Sequence, residues 1–209
     1  MSTEPPGPRR LAVVVAGPGA GGAAPAGVDP AALRRAALAD SYEVVADLIG
    51  VSGGIAGPPE VAELLWPGGL RLPDLPLVEL AELLAPQWDE VVAVAGDVPD
   101  LPGLVLAKVF KVLHRSDVVV APARSGGGCV AVGLRLPLAP WLGEQRLELD
   151  ADLATLLPAL APRRSACAEA PDWHRLRTPA DLRRLDPGLE GWEETRALLD
   201  AAGLLPGVG

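Results

Sequence analysis

Apolar residues in this chain fall into two patterns, and their alternation carries the fold. Short unbroken runs occur at Leu11–Ala16 (LAVVVA), Val91–Ala95 (VVAVA), Val118–Ala121 (VVVA) and Cys129–Leu134. Runs of this length, rich in Val and closed by turn residues, predict strands buried on both faces of a sheet. Between them, apolar residues recur every three or four positions. Asp29 is a good N-cap with Pro30 at the first helical position, and Leu33, Ala36, Ala37, Tyr42, Val44, Val45 and Leu48 predict a helix to about Ile49. Pro102 suits a first turn, and Leu104, Val105, Val109, Val112 and Leu113 give the next long helix its stripe.

The remaining elements are shorter. Ile49–Ala56 predicts a second strand interrupted by Gly53-Gly54, Pro59–Leu65 and Leu77–Ala85 predict helices, and Leu138–Leu142 a helical turn. Asp150–Leu160 predicts a helix, Ser165–Ala170 an edge strand, Thr178-Pro179-Ala180-Asp181 the start of a helix running to Leu185, and Trp192–Ala202 a closing amphipathic helix. Strands alternating with helices predict an α/β fold with a mostly parallel sheet, in which Leu11–Ala16, Val91–Ala95 and Val118–Ala121 are neighbours. With no internal repeat and no linker, residues 9–205 are expected to form a single domain with flexible ends at 1–8 and 206–209.

Composition narrows the partners. A 209-residue chain with 49% apolar residues is long and hydrophobic enough to bury a sheet between helices. No apolar run approaches the roughly 20 residues of a membrane span, and the amino terminus lacks a secretory pattern, which predicts a cytoplasmic protein. A net charge of −9 argues against nucleic acid and anionic membranes as partners. Cys129 and Cys167 stand far apart, without the spacing of a zinc site.

The candidate chemistry lies at strand ends. Gly96-Asp97-Val98-Pro99-Asp100-Leu101-Pro102 follows the Val91–Ala95 run, at the sheet edge where α/β folds bind ligands. The glycine loop after the first strand matches G-x-G-x-x-G in part. It continues through Pro25 and Gly27 before a helix begins, so no helix N-terminus meets a pyrophosphate there. A phosphate-cradling P-loop is excluded because no Lys follows the glycines.

G-D-V-P-D-L-P from Gly96, A-P-A-R-S-G-G-G-C-V-A-V-G-L from Ala121, R-L-R-T-P-A-D-L from Arg175 and the A-A-L-R-R-A-A-L-A-D-S helix together resemble a family of bacterial GT-A-fold transferases. These are the glycosyltransferase-like, radical-SAM/selenodomain-associated type, with 2-phospho-L-lactate guanylyltransferases as distant relatives. The resemblance covers almost the whole chain. It implies a single GT-A-like α/β domain, a nucleotide or nucleotide sugar as ligand, and Mg or Mn held by carboxylates at the strand ends.

Carried over by residue, the resemblance implies Asp97 on the metal side, Gly126 and Gly127 where backbone passes close to the ligand, and Gly17 and Gly19 in the nucleotide loop. Ser125 stands where the family has Asp, and Arg175 and Arg177 occupy its two aspartate positions before Thr178-Pro179. Between Arg10 and Arg34 there is no Lys or Arg, so the family's basic first loop is missing. These departures imply a degenerate nucleotide-diphosphate and metal site, with little or no catalysis and a binding role or a protein partner. The alternative is an active nucleotidyl- or glycosyl-transferase whose donor site is rebuilt around Arg175 and Arg177 without metal. Asp97 is then expected to face an open cleft, with the Gly126–Gly128 loop opposite and both arginines within reach of a ligand. The bland counterparts are a local Asp turn at Asp97 and Asp100, an ordinary hairpin at Gly126–Gly128, and solvated surface charges at Arg175 and Arg177.

Overall fold

A computed structural model describes residues 7–17, 19–124 and 126–204. Apart from Gly7 and Pro8, the ends expected to be flexible lie outside the described residues, as do Pro18 and Ser125. One seven-stranded sheet organises the chain: β1 (Arg10–Val15), β2 (Ser52–Ala56), β3 (Leu70–Leu72), β4 (Glu90–Ala95), β5 (Val118–Pro122), β6 (Cys129–Arg135) and β7 (Cys167–Glu169). Their order is β3-β2-β1-β4-β6-β5-β7. Only β6 runs antiparallel to its neighbours.

The buried Val runs form the centre. Every residue of β4 is buried, and Leu11 to Val14 of β1 have no exposed surface. β1 and β4 are neighbours, as the sequence predicts, but β5 is not: β6 lies between it and β4. The reason is the length of the glycine loop. Six residues, 123–128, can close a hairpin but cannot make the crossover a parallel strand needs, so β6 turns back against β5 and fills the place left open beside β4.

Helix α1 (Pro30–Ala46) starts where Asp29 accepts hydrogen bonds from the amides of Ala31 and Ala32, at 3.1 and 3.3 Å. It ends three residues before the predicted stop. Helix α2 (Leu77–Leu84) precedes β4, and α3 (Gly103–Leu113) carries the crossover to β5. Gly133 of β6 lets α3 sit close: a Cβ there would come within 2.6 Å of Val109 Cγ1. Helices α4 (Pro140–Gly143), α5 (Leu153–Leu160) and α6 (Glu193–Ala201) complete the chain.

Three local predictions need correction. Pro59–Leu64 is a 3-10 helix, and β3 was not foreseen because its three residues acquire strand geometry only by pairing with Gly54–Ala56. The helix expected from Thr178 to Leu185 is reduced to a 3-10 turn at Asp181–Arg184. Asp181 accepts from the Thr178 amide at 2.8 Å, the Thr178 hydroxyl at 2.9 Å and the Arg177 amide at 3.1 Å, which holds the entry as a closed turn.

A second small core stands beside the main one. Ala20 and Ala23 of the glycine loop pack with Leu33 and Ala37 of α1, and with Leu176, Leu185, Trp192 and Leu199 from the carboxyl-terminal part. The loop after β1 therefore folds as a 3-10 turn, Gly19–Ala23, against α1. Asp40 of α1 caps α6 across this core, accepting from the Glu194 and Thr195 amides at 3.0 and 2.8 Å. Burial pushes the Asp40 carboxyl up to about 6 despite those bonds.

Candidate functional site

Asp97 follows β4 at the carboxyl edge of the sheet. Gly96 before it allows the strand end to press against α1 and β1, since a Cβ there would lie 2.8 Å from Leu38 Cδ1 and 3.0 Å from the Val15 carbonyl. The Asp97 carboxylate does not face an open cleft. It has no exposed surface, because two guanidinium groups cover it.

Arg175 grips it bidentately, Nε to Oδ1 at 2.6 Å and Nη2 to Oδ2 at 3.0 Å, and Arg177 Nε donates to Oδ2 at 3.3 Å. The Leu176 amide between them donates to the Asp97 carbonyl at 2.8 Å, so the Arg-Leu-Arg segment is clamped along the β4 turn by backbone as well as by charge. Arg175 Nη1 also donates to the carbonyls of Cys129 and Leu149, at 3.1 and 2.9 Å, and to Asp150 Oδ1 at 3.0 Å. Asp150 Oδ1 also accepts from Arg177 Nη2.

Two aspartates and two arginines thus form a charge-balanced knot, buried at Asp97 and Arg175 and half exposed at Asp150. Arg175 donates from all three of its nitrogens, and its side chain is 7% exposed. Arg177 is 34% exposed, and its Nη1 has no hydrogen-bond partner among the described residues. Burial pushes the Asp150 carboxyl up, but the bond from Arg177 and the charges of both arginines outweigh it and hold the group below the usual carboxylate range.

A divalent cation does not fit this donor set. Magnesium or manganese needs carboxylate oxygens free to approach, and both oxygens of Asp97 are committed to guanidinium donors. Among the described residues, no group of three or more His, Cys, Asp and Glu is placed to hold a metal ion.

The other sequence candidates are dispersed around the knot. Gly19, at φ +43°, brings its backbone against Asp97; a Cβ there would lie 3.5 Å from the Asp97 Cβ. Gly126 and Gly127 both take φ +77° at the tip of the β5–β6 hairpin with open space around them, and Ser125 lies outside the described residues. His174 is buried, with Nε2 3.0 Å from Asp100 Oδ1 but out of hydrogen-bond alignment, while Trp173 Nε1 donates to the same oxygen at 3.2 Å. Asp100 therefore helps anchor the carboxyl-terminal segment.

Open space lies beside the knot. A cavity of about 490 Å³ is bordered by Ala16, Gly17 and Gly96 at the ends of β1 and β4, by Arg34 and Arg35 of α1, and by Glu60 and Asp74. A smaller one of about 300 Å³ shares Gly17 and Gly96 with it and is bordered by Gly19, Glu148, Asp150 and Arg175. Arg35 is paired with Glu63 at 3.0 Å, and Arg34 has no ion-pair partner among the described residues. Sequence reasoning passed over Arg34 and Asp150. Arg34 directly follows the buried Leu33 at the border of the helix stripe, and Asp150 looked like a helix start rather than a strand-end acid.

No family model and no curated protein matches the sequence. Solved structures do match its shape. A candidate nucleotide-diphospho-sugar transferase from Desulfovibrio desulfuricans G20 superposes with a TM-score of 0.67 and 22% identity, over 93% of this chain and 96% of that one. The fold is that of the nucleotide-diphospho-sugar transferases. Within that fold the chain also resembles the 4-diphosphocytidyl-2C-methyl-D-erythritol synthase of Anaerococcus prevotii DSM 20548, with a TM-score of 0.59 and 11% identity over 85% of this chain and 96% of that one. The manganese complex of Rv0371c from Mycobacterium tuberculosis H37Rv matches with a TM-score of 0.52 and 15% identity, over 88% and 100%. Asp97 lies at the carboxyl edge of this sheet, with two guanidinium groups against it.

Proposed function

We propose that this chain is a nucleotide-diphospho-sugar transferase fold in which two guanidinium groups have taken over the charge role of a divalent metal, leaving a binding protein without metal-dependent group transfer. The observation that carries this reading is the fully buried Asp97 carboxylate held by Arg175 and Arg177. Catalysis of the metal type needs a cation that bridges protein carboxylates and ligand phosphates. Here the cations are side chains, and Arg175 is directed wholly to protein acceptors.

The rebuilt-donor alternative narrows to Arg177. Its unpartnered Nη1 and partial exposure leave it able to meet an anion, while Arg175 is structural. Calorimetric titration with a panel of nucleotide sugars, with and without magnesium or manganese, tests the proposal. No metal-dependent binding is expected. Micromolar binding that needs the metal and disappears in Asp97→Ala would contradict it, whereas metal-independent binding lost in Arg177→Ala would favour the rebuilt site.

A further inference from the structure

We propose that the two neighbouring cavities beside Gly17 and Gly96 together take a hydroxyl-rich ligand carrying a single anionic group, such as a sugar monophosphate or a nucleoside monophosphate, and discriminate against di- and triphosphates. This rests on the reading that the metal role is filled internally. The cavities of about 490 and 300 Å³ share Gly17 and Gly96 in their walls, and the larger alone has room for a ligand of that size. Their two ends differ in charge.

At the larger end stands Arg34, a cation without an ion-pair partner among the described residues; its neighbour Arg35 is tied to Glu63. A guanidinium matches one phosphate by paired N–H donors. At the smaller end every bordering charge is already balanced or negative. Arg175 is bonded to protein acceptors, Asp150 is held by both arginines, and Glu148 pairs with the exposed Arg146 at 2.6 Å. Glu60 and Asp74 add two more carboxylates at the larger end. Carboxylate oxygens accept from sugar hydroxyls and repel a second phosphate, which in this fold would need a metal to shield it.

The test is a binding panel on the full-length protein at low salt, read by calorimetry and by thermal shift. The probes are inorganic phosphate, glucose 1-phosphate, CMP, CDP, and CTP with and without magnesium. The monophosphates are expected to bind at least about tenfold more tightly than CDP or CTP, and Arg34→Gln to weaken them by about tenfold or more, the loss of one charge-assisted contact. Preference for glucose 1-phosphate or for CMP identifies which hydroxyl-rich group fills the small end. A thermal midpoint unchanged in ligand-free Arg34→Gln separates lost binding from lost folding. Tighter binding of CDP than of CMP without metal, equal binding by inorganic phosphate alone, or no binding by any monophosphate would overturn this inference and leave the metal-replacement reading intact. Tight magnesium-dependent CTP binding would overturn both.

Discussion

Two charged regions lie side by side at the carboxyl edge of this sheet and are used in opposite ways. In the knot, Asp97, Asp150, Arg175 and Arg177 bond to one another, with Asp97 and Arg175 buried and only parts of Arg177 and Asp150 left in solvent. A few residues away, Arg34 borders the larger cavity with no ion-pair partner among the described residues. Ion pairs removed from water hold a structure together only if both partners stay, whereas an exposed cation contributes little to stability and is available to a ligand. The contrast teaches which charges belong to the scaffold and which are free for recognition.

That contrast can be broken by substitution. The largest effect is expected from Arg175→Met, which strands a buried carboxylate; a loss of about 3–5 kcal/mol in urea-unfolding stability is expected. Arg177→Met should cost far less, about 1 kcal/mol, because the side chain is one-third exposed and Arg175 still satisfies Asp97. The smallest change belongs to Arg34→Gln, within about 0.5 kcal/mol of the parent in the same assay. A large loss there would show that Arg34 is structural and remove the distinction.

Acid titration sharpens the comparison from another side. The Asp40 carboxyl is raised to about 6 by burial, so the folded state takes up a proton before the unfolded one does. Its stabilising contribution is complete below the unfolded value near 4 and is lost as pH rises through about 6. Asp150, held down by its arginines, acts in the other direction: its contribution is present above about pH 4 and falls away as acid protonates it. Thermal midpoints should therefore rise from pH 7 to about 5 and fall below about 4, and Asp40→Asn should flatten the first limb while leaving the second.

The sheet was legible because its signal is local. Runs such as Val91–Ala95 and Val118–Ala121 state their burial in their own residues, and Asp29-Pro30 states a helix start in two. The place of β6 was not legible as a neighbour of β4, since nothing in Val91–Ala95 records what pairs beside it. The glycine loop was misleading for a physical reason. Ala20 and Ala23 are packing residues of a second core completed by Leu176 and Trp192, more than 150 positions away. At the site, the sequence brought Asp97, Arg175 and Arg177 forward as candidates, but not that they would neutralise one another. Their pairing depends on the β4 turn and the Arg175–Arg177 segment lying side by side, with Asp150 from the loop before α5 closing the set.

The central claim, that guanidinium groups stand where a metal's charge would act, is tested most directly by following thermal stability as manganese is added to the parent protein and to the Arg175→Asp/Arg177→Asp double variant. The variant clears the guanidinium groups and sets aspartates in their places beside Asp97 and Asp150. The account predicts a parent protein whose midpoint ignores manganese, and a destabilised variant whose midpoint climbs as manganese is added. A parent midpoint that rises with manganese, and no longer does so in Asp97→Asn, would contradict it.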